Sequence, residues 1–576
     1  MKKKKSVNNH SSIKKHFTSI KMKKMVKYIK SIFVIMLIVN AGLLHAQDSL
    51  KANVFHVDKV LKPMLSESMK IQSNPNPEVP EIKSPVFEYT NIPDSKHNAA
   101  PTIYTIKPLS MGTALLPKLK NNYTKVGYGN YNSPLLEIYL NTVRNKDLQA
   151  GVFVKHFSAN PDGYNTFSNN TVDAFVKKFS PNAVIEADVN YTRNNAYLYG
   201  FNTDSVKPLH SDVQQLFQNV GVNASYSNIV KDSNSLMFKA GFSFYGFYDS
   251  HSNVENNFGL FGNFTKRVQG NPLEIHTKLD IISNTFTLYP TTLQTDIQRT
   301  YFDLNPRYTL NNGDVYLKLG FNSTVATASG SSKIHFFPVA EAGYSLIPKS
   351  LTAYSGITGN VKQNNFKTIS NENPFVRDIT FKNSIDNNTI NKFEVYAGIK
   401  GILGAQTSFA LSASWKTLDN MLFYVTDSII YNPQKVVYDN CGLMNLKAEL
   451  LHEFADQFRV GITVNYYSYS SFKLLNQPYG RPTFETKLNA MYNMGDKFIL
   501  HADIFTMDQR YTKLLKSNTE ESIKGIVDLN LGVDYLYNKT VAVFLNLNNL
   551  TNNTYQRWYN YPSYGFNVMG GLKVTF

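Results

Sequence analysis

The sequence predicts an all-β fold: a transmembrane antiparallel β-barrel of about 22 strands, preceded by a Pro-rich amino-terminal periplasmic segment. Three observations predict it. The last eleven residues alternate strictly and stop on an aromatic. Phe566, Val568, Gly570, Leu572, Val574 and Phe576 share one face, and Asn567, Met569, Gly571, Lys573 and Thr575 share the other. The composition is rich in aromatics (36 Tyr and 38 Phe in 576 residues) yet only 42% hydrophobic, with a mean hydropathy of −0.28. A barrel needs only alternate apolar residues, whereas helical spans need runs of about 20, and none follows residue 46. Finally, period-two segments recur along the whole chain between turn-rich punctuations.

Residues 1–46 hold eleven lysines and no acid, then the apolar run 32–39, then Leu43-Leu44-His45-Ala46. This order of basic, apolar and small residues reads as a secretory signal cut after Ala46, translated from Met1, Met22 or Met25. The formal charge of +17 comes from 59 basic and 42 acidic residues; without the eleven signal lysines the balance is 48 to 42, or +6. The remaining charge is scattered, so a nucleic-acid partner is not expected. The single cysteine, Cys441, offers neither a disulfide framework nor a thiolate metal site.

Residues 47–120 carry nine prolines and little alternation, and read as an extended segment, with a short helix possible over 57–69. It serves either as a strap entering the lumen, a reduced plug, or as a docking peptide for another protein. The barrel, 121–576, follows. In 273–281, Leu273, Ile275, Thr277, Leu279 and Ile281 alternate with Glu274, His276, Lys278 and Asp280. This places four ionisable groups in a lumenal row at steps of about 6.6 Å. A neutralising ladder in a wet barrel is the expected role, ahead of an acid-base or ligand site. In 302–310, apolar Phe302, Leu304, Tyr308 and Leu310 oppose Asp303, Asn305, Arg307 and Thr309; Asn311-Asn312-Gly313 then turns the chain into a partner strand from Val315.

Short turns are expected at 144–147, 179–182, 230–234, 269–272, 311–314, 348–350, 403–405, 454–457, 493–496 and 537–540. Longer connections fall near 130, 160–169, 194–213, 250, 290–298, 330, 362–386, 428–436, 471–480, 514–522 and 551–565. Ten turns and eleven loops make an even 22 strands with both barrel termini on the periplasmic side. The patches 466–469 and 558–561 read as interface girdles or as rim sites for glycans.

The stretch Phe544-Leu545-Asn546-Leu547-Asn548-Asn549-Leu550-Thr551-Asn552-Asn553-Thr554-Tyr555, followed by the terminal Phe576, resembles the end of TonB-dependent receptor barrels of Bacteroidetes type. The family's Asn-Leu-x-Asn-x-x-Tyr stretch is matched at Asn549, Leu550, Asn552 and Tyr555. The resemblance implies a 22-stranded outer-membrane barrel of a Gram-negative cell that transports a solute, with outer-membrane lipid and the barrel-assembly machinery as partners. Phe566, Val568, Leu572, Val574 and Phe576 form the assembly signal. Two departures stand against it. Residues 47–120 are shorter than the family's plug domain, with only 54–58 as a coupling peptide, and the outer loops are short for a receptor that closes over a ligand. The alternative is a non-transporting barrel subunit of an assembly or export machine, binding periplasmic or outer-membrane proteins through its amino segment and loops. No catalytic pattern, cofactor motif or metal-ligand spacing is found, and no enzyme is expected.

Overall fold

The computed structural model describes residues 122–576, except 143–144, 162, 203, 288–293, 379–386, 405, 428–430 and 455–456. The signal and Pro-rich segments expected over 1–120 lie outside the described residues. Twenty-two antiparallel strands form one closed barrel, each paired with its successor. Closure is made by the first strand, Tyr123–Gly129, on the last, Asn567–Thr575, in a register running from Tyr123↔Thr575 to Gly129↔Met569. Asn122 and Phe576 add two reciprocal backbone hydrogen bonds of 3.0 Å. A sheet without edges leaves no unpaired backbone in lipid.

The ten short turns and eleven longer loops fall where the alternation breaks. The hairpin at Gly313 has Asn312 opposite Val315, with Gly313 at φ +60°, a conformation that favours glycine. Period two sorts the side chains into two environments. Val189, Phe242, Leu260, Leu319, Val395 and Leu545 are exposed on the outer wall, where acyl chains are their solvent. Towards the short-turn end, Phe454–Phe458, Phe458–Tyr492 and Phe498–Tyr535 meet in tilted or edge-on pairs with ring centroids 5.8, 6.2 and 5.1 Å apart, the kind of aromatic girdle that suits a headgroup interface. The inner wall is polar and internally neutralised: Lys155 meets Glu137 at 2.9 Å, Lys416 meets Glu394 at 2.9 Å, and Glu186 lies between Lys177 and Lys239.

Several strands are far longer than the ~9–11 residues a bilayer requires. Gln294–Asn312 has 19 residues, Thr407–Thr426 has 20 and Gln434–Phe454 has 21. The excess projects at the long-loop end. A bulge between Leu418 and Met421, with Asn420 at φ +54°, bends one of these strands there. The projecting wall is what the loops pack against.

Candidate functional site

The largest buried apolar cluster sits in the long-loop mouth of the barrel. Strand residues Phe217, Phe247, Phe286, Leu422 and Tyr424 meet loop residues Leu198, Phe201, Phe366, Ile369, Trp558 and Tyr561. These loops leave the barrel at well-separated points of its circumference, so their meeting spans the mouth. Tyr561 stacks on Phe375 at 3.8 Å and meets Tyr199 edge-on at 5.0 Å, while Phe201 contacts Tyr431 at 5.7 Å. Tyrosine hydroxyls and Asn amides tie one loop's backbone to another: Tyr564 donates to Asn165 O at 2.6 Å, Tyr199 to Pro562 O at 3.1 Å, and Asn432 to Gly200 O at 2.6 Å. The expectation that the loops are too short to close is therefore corrected. The strands carry the wall outward, and short loops suffice to bridge it.

The loop after residue 362 descends into the mouth and forms the helix Phe366–Glu372, begun by an Asn365/Thr368 capping box. Its start is held by Glu255, a fully buried carboxylate on strand Val254–Val268. Glu255 accepts from Phe366 N (2.8 Å), Lys367 N (3.3 Å), Asn284 Nδ2 (2.8 Å) and the Tyr245 hydroxyl (3.0 Å). Arg299, also fully buried, lies 3.6 Å from it and donates to Asn364 O at 3.2 Å. A charge so far from water persists only when it is paired and hydrogen-bonded. The helix ends at Glu372, which pairs with Arg481; Arg481 also donates twice to Leu422 O, at 3.2 and 2.9 Å. Burial pushes the Glu372 carboxyl up, but the Arg481 guanidinium outweighs it and holds the group below its usual range.

Below this cap the lumen wall carries a polar recess of about 540 Å³ lined by Arg307, Lys318, Glu341, Tyr354, Glu394 and Tyr396. Glu341 accepts from Tyr316 (2.9 Å) and Tyr396 (2.6 Å) hydroxyls. Such a surface can exchange hydrogen bonds with a passing hydrophilic solute.

The expected row Glu274, His276, Lys278 and Asp280 faces the lumen on one strand but does not converge as a site. His276 contacts Asn263 at 2.7 Å, while Lys278 pairs with Asp280 at 2.8 Å, and Asp280 accepts from Asn257 (3.2 Å) and Gln363 (3.2 Å). Its upper end thus supports the start of the descending loop. The motif residues organise the last loop. Asn549, at φ +49°, donates to Asn553 O (2.9 Å) and Tyr564 O (2.8 Å); Asn552, at φ +48°, accepts from Phe566 N (2.8 Å). Leu550 N bonds Leu529 O at 2.9 Å, and Tyr555 donates to Asp528 at 2.8 Å. Among the residues expected to form an assembly signal, Leu572 and Phe576 are exposed outward. Trp558 and Tyr561, expected at a girdle or rim, are instead buried in the cap. Glu255, Arg299 and Arg481 were not foreseen, because each lies in an ordinary alternating or loop stretch.

These features define a closed, 22-stranded antiparallel β-barrel with the fold of TonB-dependent outer-membrane receptors. The fold is similar to the FrpB iron transporter from Neisseria meningitidis (12% identity, TM-score 0.61, 79% of this chain and 81% of that one). It is similar to the ferric-catecholate import receptor Fiu from K12 E. coli (10%, 0.60, 80% and 82%). It is also similar to the ferripyoverdine receptor of the Pseudomonas aeruginosa outer membrane (12%, 0.58, 79% and 72%). All three are named as receptors or transporters. No protein-family model and no curated protein matches the sequence.

Proposed function

We propose that the protein is an outer-membrane receptor and transporter that admits a hydrophilic solute through its capped mouth into the polar lumen. The observation that carries this reading is the cap itself. Loops from distant strands bury one another's aromatics and are pinned at both ends of the Phe366–Glu372 helix, which is a closing device over a water-compatible passage. A structural subunit has no need to close a mouth above a polar lumen. The import functions named for similar folds agree with this reading. Residues 47–120 then act as a reduced plug or strap on the periplasmic side, and Phe566, Val568, Leu572, Val574 and Phe576 as the strand read by the assembly machinery in an outer-membrane lipid environment.

Single-channel conductance of the mature protein in planar bilayers, compared with a variant lacking residues 47–110, tests the reading. Low conductance that rises on deletion is the expected result. Silence in both forms, even after the cap is released by Glu255→Ala, would mean a sealed barrel and would sink the transport reading.

A further inference from the structure

Three guanidinium groups gather where the loop after residue 470, the hairpin Arg510–Leu514/Thr519–Ile523 and the last loop meet. Arg510 is fully buried and Arg557 half-buried, and a guanidinium nitrogen of each reaches the same atom, Met507 Sδ, at 2.5 and 2.6 Å. A thioether is a weak acceptor, so two cations lean on a partner that neutralises neither. Arg510 has further bonds only to the backbone carbonyls of Gln556 (2.6 Å) and Lys524 (3.4 Å), and its Nε, also buried, has no partner. Among the described residues no carboxylate lies within ion-pair distance of Arg510 or Arg557. The third cation, Arg481, sits over the Tyr424 ring at 5.3 Å; Tyr424 meets Trp558 edge-on at 4.8 Å, and Arg557 lies 5.4 Å from the Trp558 ring.

The nearby acids are already engaged. Glu372 pairs with Arg481, Asp508 accepts from Thr483 N at 3.0 Å and from its hydroxyl, and Glu485 accepts from Asn465 (3.3 Å) and Tyr467 (3.4 Å). Burial, reinforced by Arg557, pushes the Arg510 guanidinium down to about 10, so it still carries its charge at neutral pH. Met507 stands opposite Glu485 in the strand register, on the wall bearing the lumenal hydrogen bonds of Glu485. Unpaired buried cations are costly, and a compact oxyanion supplies the missing acceptors and charge together.

We infer that Arg510 and Arg557, with Arg481 beside them, form an anion subsite under the cap that takes the carboxylate or phosphate group of the transported solute. The inference rests on the transport reading for its physiological ligand, but binding is measurable without transport. The chain has two tryptophans, and Trp415→Phe leaves Trp558, the one beside Arg557, as sole reporter.

The test is a titration of the folded, detergent-solubilised Trp415→Phe protein with inorganic phosphate and, separately, with citrate, at ionic strength matched by chloride. A saturable change in Trp558 fluorescence is expected with at least one of them; which one answers separates phosphate from carboxylate chemistry. Arg557→Gln should weaken the response about tenfold or more, and Arg557→Lys less. Arg510→Gln should act alike; if it fails to fold, the half-buried Arg557 variants carry the test. No saturable response to either anion, or equal binding by Arg557→Gln, overturns the subsite. A conducting, capped barrel that ignores both anions would keep the transport reading and remove only this one.

Discussion

At the scale of the residue, Glu255 carries more of the cap than any other side chain. Its carboxylate receives two backbone N–H groups of the descending loop, one amide and one phenol while facing Arg299, all away from water. Replacing it with alanine removes the loop's anchor and leaves Arg299 buried without its counter-ion and the surrounding donors without their acceptor. Breaking one side of such a pair costs about 3–5 kcal/mol. Glu255→Ala should therefore free the loop and open it to trypsin at Lys367 in an otherwise intact barrel. Mass spectrometry of the fragments reads this, and unchanged resistance would show that the latch does not hold the loop. The local sequence around Glu255, Val254-Glu255-Asn256-Asn257, shows only the alternation of a strand. Its partners come from residues 10, 29 and 111 positions away, so nothing in the pattern singles it out.

At the scale of the element, the Phe366–Glu372 helix is too short to persist alone. It exists because Phe366 packs among Phe217, Phe247 and Phe286, with ring centroids at 6.4, 5.0 and 5.7 Å, and because both its ends are tied. Burying one phenyl ring contributes about 1.5–3 kcal/mol. The tie at its end is electrostatic and sets a pH dependence. Glu372 is held below its usual carboxylate range by Arg481, so its stabilising contribution is complete above the ordinary range near 4.3 and is lost as pH falls through the lowered folded value. The cap should hold from neutrality to about pH 5 and loosen only on further acidification, read as a change in Trp558 fluorescence of the Trp415→Phe protein, and Glu372→Gln should abolish that acid step. An acid step of the same size in Glu372→Gln would assign the titration elsewhere. The strands flanking this helix were legible through their alternation and turns; the helix was not, because 362–386 shows the polar, irregular composition of any loop.

At the scale of the whole molecule, stability depends on closing the seam between first and last strands. There Gly127 and Gly571 face each other in register, and Phe544, fully buried, lies across both. Lys125 lies 4.4 Å from the Phe544 ring, on the same inner face. A Cβ at Gly571 would come within 2.0 Å of Val126 O and 2.7 Å of the Phe544 ring, and the backbone contact cannot be relieved by a side-chain rotation. Gly571→Val should therefore block closure, seen as loss of the heat-modifiable folded band on electrophoresis. Gly570→Ala, whose nearest contact would be 3.6 Å, should be tolerated and serves as the control.

The sequence by itself determined the barrel. Strand alternation and turn chemistry are local properties, repeated 22 times, and period two fixes which residues meet lipid and which meet water. Only the tertiary structure decided what the mouth does. Trp558 and Tyr561 read as girdle or rim in sequence, and become a cap when loops from four parts of the circumference meet above the lumen. Arg510 and Arg557 become neighbours across 47 residues for the same reason. Pairings of this kind arise from barrel closure bringing distant loops together, and local periodicity carries no trace of them.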